Sequence, residues 1–262
     1  VNNEMDPHLV HGYMPNAGFE STRTAVAENL NKRFGSNFTF ENIIMTVGAG
    51  SSINVIMKTI FDPGDKQVVF APYFVEYANW ASNYHAETVV VPPNEANGFE
   101  PDPEALKKAL DPKVKVVIIN NPNNPTGAIY SRETLEKIAE VLKEAEKEYG
   151  HPIYIITDEP YRELVYVDKE IVFIPDLYDN TIIAYSWSKS LSIPGDRLGY
   201  LAVSPKSDNV EEFMAAATVA NRISGDTNAP SIIQLAVERC LDAQVDIPYY
   251  KKNAEDLFSH QF

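Results

Sequence analysis

The sequence has only one cysteine, Cys240, so no disulfide can form within the chain of 262 residues. It also has no apolar run near the roughly 20 residues that a membrane-spanning helix requires. Basic residues are scarce, because 22 Lys and Arg face 37 Asp and Glu, and the formal net charge is −15. This acidity argues against a nucleic-acid or anionic-membrane partner. A single cysteine and the absence of a charged-then-apolar leader are typical of a reducing compartment, so the sequence predicts a cytoplasmic protein.

The composition is that of a globular protein, with 44% hydrophobic and 23% charged residues. These fractions exclude a fibre or a disordered chain. Apolar runs alternate with amphipathic segments, and several runs are continuously apolar, as strands covered on both faces should be. Repeated strand–helix–strand order predicts one α/β domain with a mainly parallel sheet. The predicted strands span residues 43–47, 67–71, 88–91, 114–120, 153–158, 181–186 and 198–203.

Local signals mark where the intervening helices begin and end. Ser21 is expected to cap a helix that Gly35 ends. Asp102, which precedes a proline, and Ser131 are expected to open two further helices. An amphipathic pattern over 248–262 predicts another helix in the last part of the sequence.

Polar loops follow four of the predicted strands, at the edge of the sheet where ligands bind in such folds. A small-residue turn over 48–52 leads into a helix and would offer backbone N–H groups to an anion. The turn over 121–127 offers amide side chains, residues 158–161 bring a carboxylate, and residues 187–199 carry a lysine and an arginine. Each loop alone has an ordinary structural explanation. In the same order, these are a chain reversal, a turn, a helix cap and a lysine exposed to solvent. Together the four loops indicate one ligand site.

Three motifs in these loops resemble the class I/II aminotransferases, which are pyridoxal-phosphate enzymes of fold type I. They are Asn-Asn-Pro-Asn-Asn-Pro-Thr-Gly (120–127), Asp-Glu-Pro-Tyr (158–161) and Ser-Trp-Ser-Lys-Ser-Leu-Ser-Ile-Pro-Gly-Asp-Arg-Leu-Gly-Tyr (186–200). The resemblance implies a large domain with a mainly parallel, mixed seven-stranded sheet flanked by helices. It also implies that residues 1–262 form this cofactor-binding domain, and that the N-terminal arm and most of the C-terminal small domain lie outside the chain.

The resemblance carries over to individual positions around the cofactor ring. Lys189 is the expected amine that joins pyridoxal 5′-phosphate as a Schiff base, since a lysine in a partly buried site loses its proton readily. Asp158 is expected to face the pyridine nitrogen and to keep it protonated. Asn124 and Tyr161 are the expected partners of the phenolic oxygen, and Phe74 is the expected stacking residue. Lys189, Asp158 and Tyr161 form the expected catalytic set.

The resemblance also implies a set of donors around the cofactor phosphate. An arginine suits this role because its planar fork meets two phosphate oxygens at once. A tyrosine near the start of the chain is expected to reach the phosphate of a neighbouring subunit, which implies a homodimer with shared sites. The expected donors are Ala49, Gly50, Ser51, Ser186, Ser188, Arg197 and, toward the partner subunit, Tyr13.

The function implied by the resemblance is transamination between an L-amino acid and a 2-oxo acid. Alternatives on the same fold are a C–S lyase or a decarboxylase, and a third possibility is a non-catalytic cofactor-binding fragment or regulatory module. The arginine that binds the substrate α-carboxylate in this family belongs to the C-terminal domain, so no residue is assigned to it. His8 and His11 have no apparent third ligand, so no metal site is predicted.

Overall fold

Seven strands form one mixed sheet in a computed structural model of the chain, which describes residues 10–242. The strands are β1 (Ile43–Thr46), β2 (Lys66–Phe70), β3 (Glu87–Val91), β4 (Val114–Asn120), β5 (Tyr154–Asp158), β6 (Thr181–Ser186) and β7 (Gly199–Val203). Their order is β1–β7–β6–β5–β4–β2–β3, and β7 alone runs antiparallel to its neighbours. The predicted fold class is therefore confirmed. The predicted strand ends differ from the observed ones by at most one residue.

Helices cover both faces of the sheet. They are α1 (Glu20–Phe34), α2 (Ala49–Ile60), α3 (Glu76–Ser82), α4 (Pro103–Ala109), α5 (Arg132–Tyr149), α6 (Trp187–Ser190), α7 (Val210–Asn221) and α8 (Ser231–Glu238). Within residues 10–242, none of the helices is long and apolar enough to traverse a lipid bilayer. His8 and the helix predicted over 248–262 lie outside the described residues.

The continuous apolar runs are explained by burial on both faces of the sheet. In β4, Val116 and Ile118 pack into a cluster with α2, α3 and α7, whereas Val117 and Ile119 pack into a second cluster with α4 and α5. A third cluster joins α1 and α8 to β1, β6 and β7. Successive side chains of a strand point to opposite faces, so a strand with helices on both sides must be apolar throughout.

Most of the predicted helix ends are confirmed, but the cap at Ser21 is wrong. Gly35 ends α1 in the left-handed conformation with φ +66°, and Asp102 and Ser131 cap α4 and α5. However, α1 begins at Glu20 and has no side-chain cap. The Ser21 hydroxyl instead donates to the Glu238 carboxylate of α8 at 3.0 Å, so a tertiary contact replaces the local one.

Three parallel strands bring their last residues to one edge of the sheet. Asn120 at the end of β4 pairs with Asp158 at the end of β5, and Asp158 pairs with Ala184 of β6. Because β6 runs on to Ser186 and directly into α6, Lys189 also lies at this edge.

Candidate active site

The loops at this edge enclose a cavity of about 420 Å³. The cavity contains most of the residues that the sequence predicted at the site, although they come from five separate segments of the chain. Those lining it are Ala49, Gly50, Phe74, Asn124, Asp158, Tyr161, Ser186, Ser188, Lys189 and Arg197.

A buried, half-paired carboxylate dominates one end of the cavity, here called the carboxylate end (Tyr77, Asn124, Asp158 and Tyr161). Asp158 is only 7% exposed, and its Oδ2 accepts a hydrogen bond from the Tyr77 hydroxyl at 2.5 Å. Its Oδ1 has no hydrogen-bond partner among the described residues. Burial raises the pKa of Asp158 to about 7; the Tyr77 hydrogen bond opposes this rise and the Glu159 charge adds to it. A ligand with a cationic N–H group would satisfy the unpaired oxygen.

Lys189 enters the cavity from α6. Its Nζ lies 6.0 Å from the ring centroid of Tyr161, and the side chain is exposed rather than partly buried as expected. Burial raises the pKa of Tyr161, and the Asp158 charge raises it further. Tyr161 therefore keeps its proton at neutral pH, so its hydroxyl is available as a hydrogen-bond donor beside the lysine.

Backbone N–H groups and a cation collect at the other end of the cavity. The helix α2 begins there, and the first N–H groups of an α-helix have no partner within the helix. Such a helix start favours anions, and the nearby hydroxyls and guanidinium add further donors. This part of the cavity, here called the anion end, consists of Ala49, Gly50, Ser186, Ser188 and Arg197.

Arg197 reaches the anion end because glycines let three chain segments pass closely. Its backbone is left-handed, with φ +51°, and its guanidinium donates to the carbonyl oxygens of Pro194 and Val47 at 3.0 and 3.3 Å. Gly48 has φ +85°, and a Cβ there would lie 2.8 Å from Nη2 of Arg197. A Cβ at Gly199 would lie 2.8 Å from the Cα of Gly48. Larger residues at either glycine would push the arginine or the turn away from the cavity.

The cavity thus brings together a lysine, a buried carboxylate and an anion site. Comparison with known protein families gives a match over almost the whole chain. The sequence profile described as aminotransferase class I and II matches residues 2–261. The chain belongs to this family. Pyridoxal 5′-phosphate is the cofactor of the class I and II aminotransferases, and the resemblance and cofactor inferred from the sequence motifs are thus confirmed.

Individual relatives of this aminotransferase chain support the same family. An aspartate aminotransferase of Pyrococcus horikoshii is 36% identical over 72% of this chain and 47% of its own length. An aspartate/prephenate aminotransferase of Thermus thermophilus is 34% identical over 83% of this chain and 54% of its own length. The crystal structure of an aminotransferase from Eubacterium rectale is similar with a TM-score of 0.94 and 39% identity, covering 98% of this chain and 65% of that one. The chain spans about half the length of the curated relatives it matches.

The donor set of the cavity fits the two ends of pyridoxal phosphate. The unpaired Oδ1 of Asp158 is an acceptor that suits a protonated ring nitrogen. The start of α2 and the Arg197 guanidinium suit a phosphate. Phe74 and Tyr77 are aromatic neighbours with ring centroids 5.6 Å apart, and Phe74 offers a ring surface inside the cavity.

Two of the predicted site residues do not line the cavity. The hydroxyl of Ser51 turns away from it and donates to Asp226 at 2.8 Å. Tyr13 is 94% exposed and lies outside the cavity of its own chain. Its predicted role is toward a partner subunit, and that role stays a prediction.

Sequence reasoning missed three polar or aromatic residues of the site. Tyr77 binds Asp158 directly, and Trp80 lines the cavity. Asn120 joins two loops, because it donates to the Asp158 carbonyl at 2.9 Å and accepts from the Asn124 N–H at 2.6 Å. The sequence does carry a signal for Tyr77 and Trp80, because they follow Phe74 at intervals of three residues after β2.

Proposed function

We propose that this chain carries the cofactor site of a transaminase, which moves an amino group between an L-amino acid and a 2-oxo acid. The observation that supports this most is the unpaired Oδ1 of Asp158 in the same cavity as Lys189. A buried carboxylate oxygen that lacks a partner is costly unless a bound ligand supplies one. Family membership and the names of the relatives agree with this function.

Asp158 is the residue that tunes the cofactor. Bound pyridoxal phosphate supplies a carbonyl that condenses with amines and a ring that withdraws electrons from the substrate Cα. Asp158 would hold a proton at the ring nitrogen through Oδ1, while Tyr77 binds the carboxylate through Oδ2. A cationic partner at Oδ1 also favours the ionised carboxylate and so lowers the raised pKa of Asp158.

Lys189 is the residue that attaches the cofactor and moves the proton. Its amine would serve first as the nucleophile that attaches the cofactor and then, when free, as the base that takes the proton from the substrate Cα. Asn124 and Tyr161 would hold the cofactor through hydrogen bonds to its phenolic oxygen. Phe74 would offer its ring surface for stacking.

The anion end holds the phosphate. The donors are the backbone N–H groups at the start of α2, contributed by Ala49, Gly50 and Ser51, together with two hydroxyls and one guanidinium. The side-chain donors are Ser186, Ser188 and Arg197.

The proposed assembly is a homodimer in the cytoplasm, in which Tyr13 of each chain reaches the phosphate bound by the partner. Tyr13 is almost fully exposed and far in sequence from Lys189, which supports a role outside its own cavity. Residues 1–262 correspond in this proposal to the cofactor-binding domain, and the substrates are an amino acid and a 2-oxo acid.

Amino exchange separates this function from the other reactions of the same cofactor. We expect the purified protein, supplied with pyridoxal phosphate, an amino acid and a different 2-oxo acid, to form the second amino acid. Lys189→Ala should abolish the exchange, and Lys206→Ala, at an exposed lysine, should leave it intact. Formation of pyruvate and ammonia, or of CO₂, without amino exchange would instead indicate a C–S lyase or a decarboxylase.

A further inference from the structure

Three aromatic residues follow β2 at every third position and pack on one another beside the cavity. Phe74 precedes α3, and Tyr77 and Trp80 lie within it. The ring of Trp80 is 5.9 Å from that of Phe74 and 6.1 Å from that of Tyr77, measured between centroids. Phe74 and Tyr77 already have roles in the proposed site, whereas Trp80 has none.

Trp80 also contacts the first turn of α2. A Cβ at Gly50 would lie 3.2 Å from Cη2 and 3.3 Å from Cζ2 of Trp80, closer than side chains ordinarily pack. The backbone of Gly50 is helical, so its conformation does not require glycine. Alanine would in fact be the better helix former there. The indole is therefore the group that a side chain at position 50 would crowd.

Two hydroxyls tie part of the first turn of α2 to other segments, because Ser51 donates to Asp226 at 2.8 Å and the hydroxyls of Ser52 and Thr46 lie 2.7 Å apart. The N–H groups of this turn lack partners within the helix, and Gly48 before it contributes no side-chain cap. Within α2, the Asn54 side chain donates to the Gly50 carbonyl at 2.9 Å. The edge of the Trp80 ring packs against the turn at Gly50 and restricts where that residue lies.

We propose that Trp80 is a positioning residue for the cofactor phosphate, which acts through Gly50 by holding the first turn of α2 in the geometry that binds the anion. This inference rests on the proposed cofactor site. Because Trp80 packs directly against the turn that would bind the phosphate, it should contribute more to the affinity for pyridoxal phosphate than to that for pyridoxal, which lacks the phosphate. It should also be coupled to residue 50.

A double-mutant cycle between Trp80 and Gly50 tests the proposal. The dissociation constants for pyridoxal phosphate and pyridoxal are measured by spectral titration for wild type, Gly50→Ala, Trp80→Ala and the double variant. Trp80→Phe serves as a conservative variant, and Asn79→Ala as an exposed control on the same helix. Melting temperatures without cofactor show whether each protein is folded.

We expect Trp80→Ala to weaken pyridoxal phosphate binding by about tenfold, as for losing one hydrogen bond to a charged group. The loss of pyridoxal binding should be clearly smaller. Gly50→Ala should weaken pyridoxal phosphate binding when Trp80 is present and should be tolerated in the Trp80→Ala background. The effects of the two substitutions on the dissociation constant should therefore differ from additivity by at least about threefold. Trp80→Phe should be intermediate and Asn79→Ala neutral.

Two results would overturn the proposal. Equal losses for pyridoxal phosphate and pyridoxal would make Trp80 a general packing residue, and additive effects of the two substitutions would mean that Trp80 does not act through Gly50. A wild-type protein that binds pyridoxal phosphate away from Lys189 would be a different failure, that of the proposed function itself.

Discussion

The carboxylate end and the anion end of the cavity are built by different means. At the carboxylate end, buried hydrogen bonds join α3, β4 and β5, because Tyr77 and Asn120 both bind Asp158. At the anion end, the donors are the backbone of a helix start, the hydroxyls of Ser186 and Ser188, and the exposed side chain of Arg197. Glycine at position 48 and the close approach of Gly199 decide where that arginine lies.

This difference indicates that the carboxylate end mainly affects the reaction rate and the anion end mainly affects the affinity for the cofactor. A charge fixed in a buried network needs no reorganisation when charge develops on a ligand, so its contribution belongs to the transition state. The donors of the anion end bind a phosphate that stays unchanged through the reaction, so they stabilise substrate complex and transition state alike. Substitutions at the carboxylate end should therefore lower turnover, and substitutions at the anion end should lower cofactor retention.

Among the substitutions that compare the two ends, Asp158→Ala is expected to have the largest effect. Loss of at least ~3 kcal/mol of stabilisation of the developing charge corresponds to roughly a hundredfold or more in turnover, while the phosphate donors still retain the cofactor. The measurement is the rate of amino exchange at saturating cofactor, with the exposed Asp168→Ala as control. Near-normal turnover would show that Asp158 has only a structural role.

Arg197→Ala tests the opposite half of the comparison. Removal of a bidentate guanidinium from a dianion should weaken pyridoxal phosphate binding by about a hundredfold, because each hydrogen bond to a charged group contributes about 1.5–3 kcal/mol. Pyridoxal binding and the turnover of the saturated protein should change little. Arg132→Ala, which breaks only a surface pair with Glu170, is the matched control. A fall in saturated turnover as large as that for Asp158→Ala would remove the distinction between the two ends.

Tyr13→Phe extends the comparison to a partner subunit and should have the smallest effect. One lost hydrogen bond to the phosphate predicts an affinity lower by about ten- to a hundredfold. Mixing Lys189→Ala chains with Tyr13→Phe chains should restore activity, because a shared site leaves one site of each heterodimer intact. If heterodimers confirmed by mass show no recovery, Tyr13 serves its own chain or none.

The sheet and most of the cavity could be predicted because their signals are local. The continuous apolar runs locate each strand to within one residue, and the motifs over 120–127, 158–161 and 186–200 carry Asn124, Asp158 and Lys189 directly after strands. In parallel strands the residues that follow each carboxyl end meet at one edge. Proximity of these side chains then follows from topology alone.

The remaining features depend on contacts between distant parts of the chain. Tyr77 and Asp158 are 81 positions apart, and nothing around either residue signals their hydrogen bond. The hydroxyls of Ser21 and Ser51 have local alternatives at a helix start, yet they bind Glu238 and Asp226 instead. Local propensity indicates which hydrogen bonds a side chain can form, and the tertiary structure determines which of them it does form.

The central claim, that Lys189 and Asp158 act on one cofactor in the cavity at the carboxyl edge of the sheet, is tested most directly by trapping. The protein is incubated with pyridoxal phosphate, reduced with borohydride, digested and mapped by mass spectrometry. The label should lie on the peptide that contains Lys189, and Lys189→Ala should carry none. Labelling of a different lysine in the wild-type map would contradict the account.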